Sequence, residues 1–348
     1  MAGGGTGGHV LPLLAVAEEL RRRGREVVFV GTRKGIEARL APAKEFAIEY
    51  IEIGGLKGVG LQRALRTLWR LPISTFQVRA WMRSVRPAAV FSMGGYVAGP
   101  TVLAALTAGI PVVAMEPNAV PGVTNLRLGR FVHKVLLALP DTARYFPPAK
   151  TEVTGLPVRE EFFDITPRRG STTLRLLITG GSGGSRTLNQ AARQSWPLFR
   201  AASFPIHILH QTGPDAFEDV RAAFLESGLE GEVVPFIENM PAAYSSSDLI
   251  VSRAGAGAVA ELAAAGKPSI LVPFPYAADQ HQLRNAEAFE RAGAARLILD
   301  KDMNGERLFE AVGEMAPQRE QMGAAARALA RPGATKRVAD LLEELIDT

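Results

Sequence analysis

Cysteine is absent from this 348-residue chain, which excludes disulfides and thiolate metal centres and fits a reducing compartment. Also missing are a signal-peptide layout and any uninterrupted apolar run of the ~18 residues that a spanning helix needs, so the expected membrane contact is peripheral. Neither charge dominates: 40 Lys and Arg face 35 acidic residues, for a net charge of +5. That excess permits a nucleotide, a phospholipid surface or nucleic acid without choosing among them. No Walker A sequence occurs, since Gly266-Lys267 runs into Pro268. Gly3-x-Gly5-x-x-Gly8 fits a dinucleotide fingerprint, but that reading requires an acid at the end of the second strand, where Val30-Gly31-Thr32-Arg33 stands.

Present instead are two glycine-rich turns, Gly3-Gly4-Gly5-Thr6-Gly7-Gly8-His9 and Gly180-Gly181-Ser182-Gly183-Gly184-Ser185, each leading into a helix-like apolar pattern. Turns of this kind occur where backbone amides approach a ligand closely. Around them, short Val-, Ile- and Phe-rich runs alternate with helix-length segments. The runs at 26–30, 88–92, 111–115 and 134–138 form one series; those at 174–179, 206–209, 232–235, 249–251, 269–272 and 296–299 form another. Residues 187–199, 256–265 and 335–346 read as helices. This is βαβ alternation twice over, in a chain longer than one core usually supports. The expected fold class is therefore α/β, two doubly wound Rossmann-like domains facing across a cleft. The divisions are 1–155, 156–331 and a C-terminal helix over 332–348 that packs back on the first domain; the polar stretch 155–171 is the linker. Only Met1-Ala2 precede the first glycines, so the sequence predicts an N-terminal sheet without its central strand.

Several clusters carry chemistry. His9 sits at the predicted start of a helix, where amides attract anions, and reads as functional; His133, His207 and His210 lie on or beside strands and read as packing. The run from Arg253 to Glu261 opens a helix with small residues, so a diphosphate could rest on its amides while Glu261 accepts ribose hydroxyls; a tight helix–sheet contact is the plainer alternative. Asp279-Gln280-His281-Gln282 and Asn285 suit sugar hydroxyls, or form an exposed polar loop. Asp300-Lys301-Asp302 has a metal-binding spacing but reads as a solvated turn. Residues 56–86 carry Arg63, Arg66, Arg70, Arg79, Arg83 and Arg86 among Leu68, Trp69, Phe76 and other apolar side chains, with no acid between them. Such a segment can lie on an anionic membrane, or simply be an amphipathic helix. No nucleic-acid module is recognisable.

In order and spacing, this set resembles the MurG glycosyltransferases over essentially the whole chain. The matching blocks are Gly4-Gly5-Thr6-Gly7-Gly8-His9, Met93-Gly94-Gly95-Tyr96-Val97-Ala98-Gly99-Pro100, Glu116-Pro117-Asn118, Pro157-Val158-Arg159, Gly180-Gly181-Ser182, Phe236-Ile237, Arg253 to Glu261 and Asp279 to Gln282. Met115, Pro117, Leu156 and Ala258 depart from the family's usual residues. The resemblance implies a GT-B enzyme that moves N-acetylglucosamine from UDP-GlcNAc to undecaprenyl-linked lipid I, making lipid II for peptidoglycan and hence for cell-wall biogenesis, shape and division. It implies donor contacts from Thr6, Gly7, Gly8, Asn118, Arg159, Ser182, Ile237, Gly255, Ala256, Gly257, Ala258, Val259, Ala260, Glu261, His281 and Gln282. The acceptor diphosphate falls to Gly4, Gly5, Gly94, Gly95 and Tyr96, and the membrane patch to Arg63, Arg66, Leu68, Trp69, Arg70 and Phe76. His9 is the first candidate for the general base and Glu116 the second. Inverting transfer without metal or cofactor is expected, on the cytoplasmic face of a bacterial inner membrane beside cell-wall synthesis proteins. A diacylglycerol glycosyltransferase, a UDP-GlcNAc 2-epimerase and a non-catalytic carrier-binding protein are the rivals.

Overall fold

A parallel sheet covered by helices on both faces has no wet side, so its strands are continuous apolar runs rather than alternating ones. Residues Val90–Gly94, Val112–Glu116 and Leu249–Ser252 are such runs, buried along their whole length. The computed structural model describes residues 1–4, 7–54, 61–168, 170, 172–277 and 280–346, without the side chains of 61–68. The chain divides into two compact units, Met1–Arg159 with Arg331–Thr348, and Glu160–Ala330.

The first unit runs β1 (Ala2–Gly3), α1 (Gly7–Arg22), β2 (Val28–Gly31), α2 (Glu37–Ala43), β3 (Ala47–Tyr50), α3 (Leu61–Val85), β4 (Val90–Gly94), α4 (Gly95–Thr107), β5 (Val112–Glu116), α5 (Val123–Leu128), β6 (Lys134–Leu137) and β7 (Thr151–Val153). The second runs β8 (Leu174–Thr179), α6 (Arg186–Ala201), β9 (Ile206–Gln211), α7 (Phe217–Ser227), β10 (Glu230–Val234), α8 (Met240–Ser245), β11 (Leu249–Ser252), α9 (Ala256–Ala265), β12 (Ser269–Leu271), α10 (His281–Arg291), β13 (Ala295–Leu297), α11 (Gly305–Met315) and α12 (Arg319–Ala328). The chain then returns to the first unit as α13 (Ala334–Ile346).

Among the described residues the first sheet is ordered β3-β2-β1-β4-β5-β6-β7 and the second β10-β9-β8-β11-β12-β13, parallel throughout. Both units are thus doubly wound, as the alternation predicts. In each, the order reverses beside its first strand, between β1 and β4 and between β8 and β11. Loops at the carboxyl ends diverge there and leave a ligand crevice.

The expectation of a missing central strand is corrected. Ala2 pairs with both Val30 and Ser92, and Gly3 with Gly94, so two residues bridge β2 to β4. The Met1 carbonyl adds a bond from the Val30 amide at 2.9 Å. Two further strands had no apolar signature: β3 and β7 are the sheet's edges, and neither contains a buried residue.

In the second unit Leu176, Ile178, Ile208 and Val251 pack against Trp196 and Phe199 of α6 and Leu308 and Val312 of α11. In the first, Val90, Val112, Ala114 and Val135 meet Val97 and Val102 of α4 and Val78 and Met82 of α3. Each fully buried side chain of this kind is worth about 1.5–3 kcal/mol. Helix α13 is fastened by Arg23, which meets Asp340 at 2.6 Å and Glu343 at 2.8 Å, and by Arg337, which meets Glu152 at 2.7 Å. Asp340, Glu343 and Glu19 hold the Arg23 guanidinium firmly in its charged form.

Candidate active site

The second glycine turn follows β8 at the switch point of its unit. Gly181 and Gly184 have φ of +86° and +73°, which L side chains rarely adopt, and a Cβ on Gly184 would stand 1.8 Å from the Thr212 carbonyl. Gly181 and Gly183, by contrast, face open space, and Ser182 between them is exposed. The turn is held from behind. Gln211, buried at the end of β9, donates to the Gly181 carbonyl at 2.7 Å and accepts the Ile237 amide at 3.0 Å. This places Ile237 beside the turn with its N–H committed to Gln211.

Strand β11 leads through Arg253 and Ala254 into α9. Gly255 is the extended N-cap residue, and the helix ladder begins with the Val259 amide bonded to the Gly255 carbonyl at 3.0 Å. The amides of Ala256, Gly257 and Ala258 therefore precede the ladder at the positive end of the helix dipole. Ala260 and Glu261 follow in the next turn, with Glu261 half-buried. Asn285 of α10 donates to the Ala254 carbonyl at 3.0 Å and fixes the approach to α9. His281 opens α10 behind Gln280, which takes φ of +53°, and the Gln282 side-chain oxygen accepts the Phe274 amide at 2.9 Å. Asp279 lies outside the described residues.

Asp300 is not the solvated turn residue that the sequence suggests. Its Oδ1 accepts from Arg253 Nη1 at 2.5 Å and its Oδ2 from Thr187 Oγ1 at 3.1 Å. Among the described residues no group of three His, Cys, Asp or Glu side chains could hold a metal ion. A cavity of about 910 Å³ borders Gly183, Ser185, Asn189, Thr212 and Asp215, on the α6–α7 side of the turn. None of Ile237, Glu261 and His281 lines it, so it is a separate hollow from the crevice at the switch point.

In the first unit, Gly5 and Thr6 fall outside the described residues. Helix α1 opens at Gly7, with Gly8 in its first turn and His9 its third residue. Helix α4 opens at Gly95 behind Gly94, with φ of +80° and +78°. A Cβ on Gly95 would stand 3.2 Å from the Gly4 carbonyl and 3.8 Å from the His9 ring, so the two helix starts converge at this imidazole. Tyr96 is half-buried next to them, and its hydroxyl lies 3.4 Å from Thr32 Oγ1.

Two buried carboxylates support this region. Glu37, the first residue of α2, accepts the Thr32 amide at 2.9 Å and its hydroxyl at 3.0 Å. A Cβ on Gly4 would meet Glu37 Oε1 at 2.6 Å. The acid missing from the end of β2 is thus supplied from the next helix, but its oxygens serve the protein. Glu116, at the end of β5, accepts from the Asn118 amide at 3.0 Å, Asn118 Nδ2 at 3.2 Å, the Gly122 amide at 3.1 Å and Asn125 Nδ2 at 2.9 Å. Burial pushes its carboxyl pKa up, against the pull of these bonds. Asn125 also donates to the Met115 carbonyl at 2.9 Å and fills the space where a Gly94 Cβ would be. Glu116, Asn118 and Gly94 are therefore one connected group. Arg159 is half-buried at the end of the first unit's leading stretch.

On α3, Trp69, Ile73 and Phe76 are 79%, 65% and 73% exposed, and their spacing of four and three puts them on one face. Arg70 is exposed beside them, while the side chains of Arg63, Arg66 and Leu68 lie outside the described residues. Sequence reasoning passed over Ile73, although the i, i+4, i+7 pattern contains it. Asn125, Glu37 and Gln211 were missed for a different reason, and Asp300 was read only as a solvated turn: each acts through a partner that no local pattern marks. No helix among the described residues is long and apolar enough to cross a membrane.

The glycosyltransferase family 28 N-terminal domain matches residues 1–137, and the family 28 C-terminal domain matches residues 175–345. The chain is 62% identical over 346 residues to the UDP-N-acetylglucosamine–N-acetylmuramyl-(pentapeptide) pyrophosphoryl-undecaprenol N-acetylglucosamine transferase of Solibacter usitatus, covering 99% of this chain and 95% of the relative. The enzyme of the same name from Halorhodospira halophila is 45% identical, over 99% of this chain and 97% of the relative. The crystal structure of Acinetobacter baumannii MurG superposes with a TM-score of 0.79 at 36% identity, covering 98% of this chain and 97% of that one. With both domain matches and identity sustained over its whole length, the chain belongs to glycosyltransferase family 28, in its MurG group.

Proposed function

We propose that this protein transfers N-acetylglucosamine from UDP-GlcNAc to the 4-hydroxyl of MurNAc in undecaprenyl-pyrophosphoryl-MurNAc-pentapeptide, lipid I, giving lipid II for peptidoglycan synthesis. The observation that carries the reading is the 62% identity, over 99% of the chain, to a transferase that bears this activity in its name.

The second unit takes the donor. The amides of Ala256, Gly257 and Ala258 receive the diphosphate, Glu261 the ribose, the Ile237 carbonyl the uracil N3–H, Ser182 the nucleotide, and His281 and Gln282 the sugar. The first unit takes the acceptor, with its lipid-borne diphosphate against Gly4, Gly94, Gly95 and Tyr96. In a single inverting displacement the acceptor oxygen bonds to the anomeric carbon as the bond to the donor phosphate breaks. Charge develops on the departing UDP, where helix-start amides stabilise it without needing to reorganise. His9 takes the hydroxyl proton, a role typically worth 10²- to 10⁴-fold. Glu116 acts as a positioning residue, since its oxygens already hold Asn118 and Asn125.

The exposed stripe of Trp69, Ile73 and Phe76 rests on an anionic membrane, with Arg70, which meets Glu52 at 3.4 Å, beside it. The stripe supports a peripheral position, proposed here to be on the cytoplasmic face of the inner membrane, where the carrier-linked substrate resides. The test is to supply UDP-GlcNAc with lipid I, with diacylglycerol or with no acceptor. Product with lipid I alone is expected. Glycosylated diacylglycerol, an epimerised donor or no product with any acceptor overturns the reading. His9→Ala is expected to cut turnover by about 10²-fold or more; near-normal turnover with unchanged KM values removes His9 as the base.

A further inference from the structure

We propose that Asp300 is a positioning residue for the nucleotide-sugar site, acting through Arg253; the inference rests on the reading of the second unit as the donor-binding unit.

Arg253 leaves the end of β11 and reaches four places at once. Its Nη1 donates to Asp300 Oδ1 at 2.5 Å, to the Val272 carbonyl at 3.1 Å and to the Pro273 carbonyl at 3.4 Å. Its Nη2 donates to Ser185 Oγ at 2.7 Å. Ser185 is the last residue of the second glycine turn, and the same oxygen caps α6 by accepting the Leu188 amide at 3.3 Å. Asp300 closes the loop from the other side, because its second oxygen accepts from Thr187 in the first turn of α6. The guanidinium also lies over the Phe274 ring at 5.5 Å, in the segment that leads to His281 and Gln282.

One ion pair thus joins the exit of the glycine turn, the start of α6, the end of β11 that feeds α9, and the segment after β12. These are the pieces that carry Ser182, the α9 amides and the sugar-facing side chains. The side chains of Arg253 and Asp300 are only 14% and 20% exposed, so solvent screens the pair weakly. The planar guanidinium fixes direction as well as distance, which a lysine at this position would not do. Arg253 is also a cation close to a helix start that attracts anions, and Asp300 keeps it turned towards the protein. The pair is therefore a latch on the site's geometry, and Arg253 is not a phosphate ligand.

The experiment uses the full-length chain. UDP affinity is measured by calorimetry, and KM for donor and for lipid I, kcat and melting temperature are measured for Asp300→Asn, Asp300→Glu and Ser185→Ala. Loss of a charge-assisted bond that sets the site is expected to raise the Kd for UDP and the donor KM about tenfold in Asp300→Asn. The acceptor KM should change less than about twofold, and Ser185→Ala should show the same donor-selective pattern, because it opens the latch from its other end. Asp300→Glu is expected to recover part of the loss. Unchanged UDP affinity in Asp300→Asn overturns the proposal. So does tighter binding, which would mean that Asp300 competes with the phosphates for Arg253. A lower melting temperature with both KM values raised alike makes the pair merely structural and also overturns it. Failure of the wild-type protein to bind UDP removes the donor-site reading itself; that result is distinguishable because it precedes any comparison of variants.

Discussion

The two glycine turns look alike in sequence and occupy equivalent places, each after the first strand of a doubly wound sheet, yet glycine is needed in them for different reasons. In the first unit Gly4 is buried, and its missing side chain makes room for Glu37 and Val97. In the second, Gly184 is required by its left-handed backbone and by the Thr212 carbonyl, while Gly181 and Gly183 face open space. At Gly4 the position of a side chain is taken by neighbouring groups of the protein, whereas at Gly181 and Gly183 it is open. The electrostatic surroundings of the two turns differ as well. Two buried carboxylates, Glu37 and Glu116, underlie the first region, whereas the second has the paired charges of Arg253 and Asp300, neutral Gln211 and the leading amides of α9. The proposed nucleotide site falls in the second region, and the proposed base, His9, in the first.

Substitutions separate these two uses of glycine. Gly184→Ala should have the largest effect, since it combines a left-handed backbone with a carbonyl 1.8 Å from the new Cβ. A loss of about 3 kcal/mol or more is expected by chemical denaturation. Acid should weaken the second unit through His210. His210 is buried with its pKa lowered to about 4 by desolvation, so between that value and 6.5 the unfolded chain binds a proton that the folded unit does not. Stability of the second unit should therefore fall as pH drops through this window, by about 3 kcal/mol in all at about 1.4 kcal/mol per pKa unit. In the first unit the groups oppose one another: Glu116, with its pKa raised by burial, favours the folded state as pH falls, whereas Glu19 and Glu343, held low by Arg22, Arg25 and Arg23, disfavour it. Hydrogen exchange in the second unit followed across this pH range reads the effect, and unchanged stability between pH 6.5 and 4 contradicts the assignment.

Gly4→Ala comes next, at about 1–3 kcal/mol, because its Cβ would meet the Glu37 carboxylate at 2.6 Å. Combined with Glu37→Ala the cost should be less than additive; strict additivity would show that the carboxylate is not what excludes the side chain. Gly183→Ala should be smallest, within about 0.5 kcal/mol of wild type, since its Cβ meets nothing within 4 Å. Any loss there should appear in donor KM rather than in the unfolding curve.

The same contrast explains what the sequence made legible. Strands β5, β8 and β11 announce themselves because burial on both faces demands unbroken apolar runs, and residues 256–265 were readable as a helix because small residues open it directly after a strand. Edge strands β3 and β7 are half-wet and carry no such run. Strand β1 is only two residues long, and neighbours on both sides define it rather than its own side chains. Position beside a helix start singled out His9 and Glu261, while Glu116 came only from the family resemblance. Neither reached the partners that orient the site: Asp300 lies 47 positions from Arg253, and Gln211 lies 26 from Ile237. Such pairs exist only once the sheet has brought strand ends together.

The division of labour between the units is tested most directly by hydrogen exchange of the full-length protein with and without saturating UDP. The account predicts slowed exchange at 180–185, at 237 and at 255–261, with amides 2–9 and 94–96 unchanged. Protection confined to 2–9 and 94–96, with the second glycine turn and the start of α9 unaffected, would contradict it.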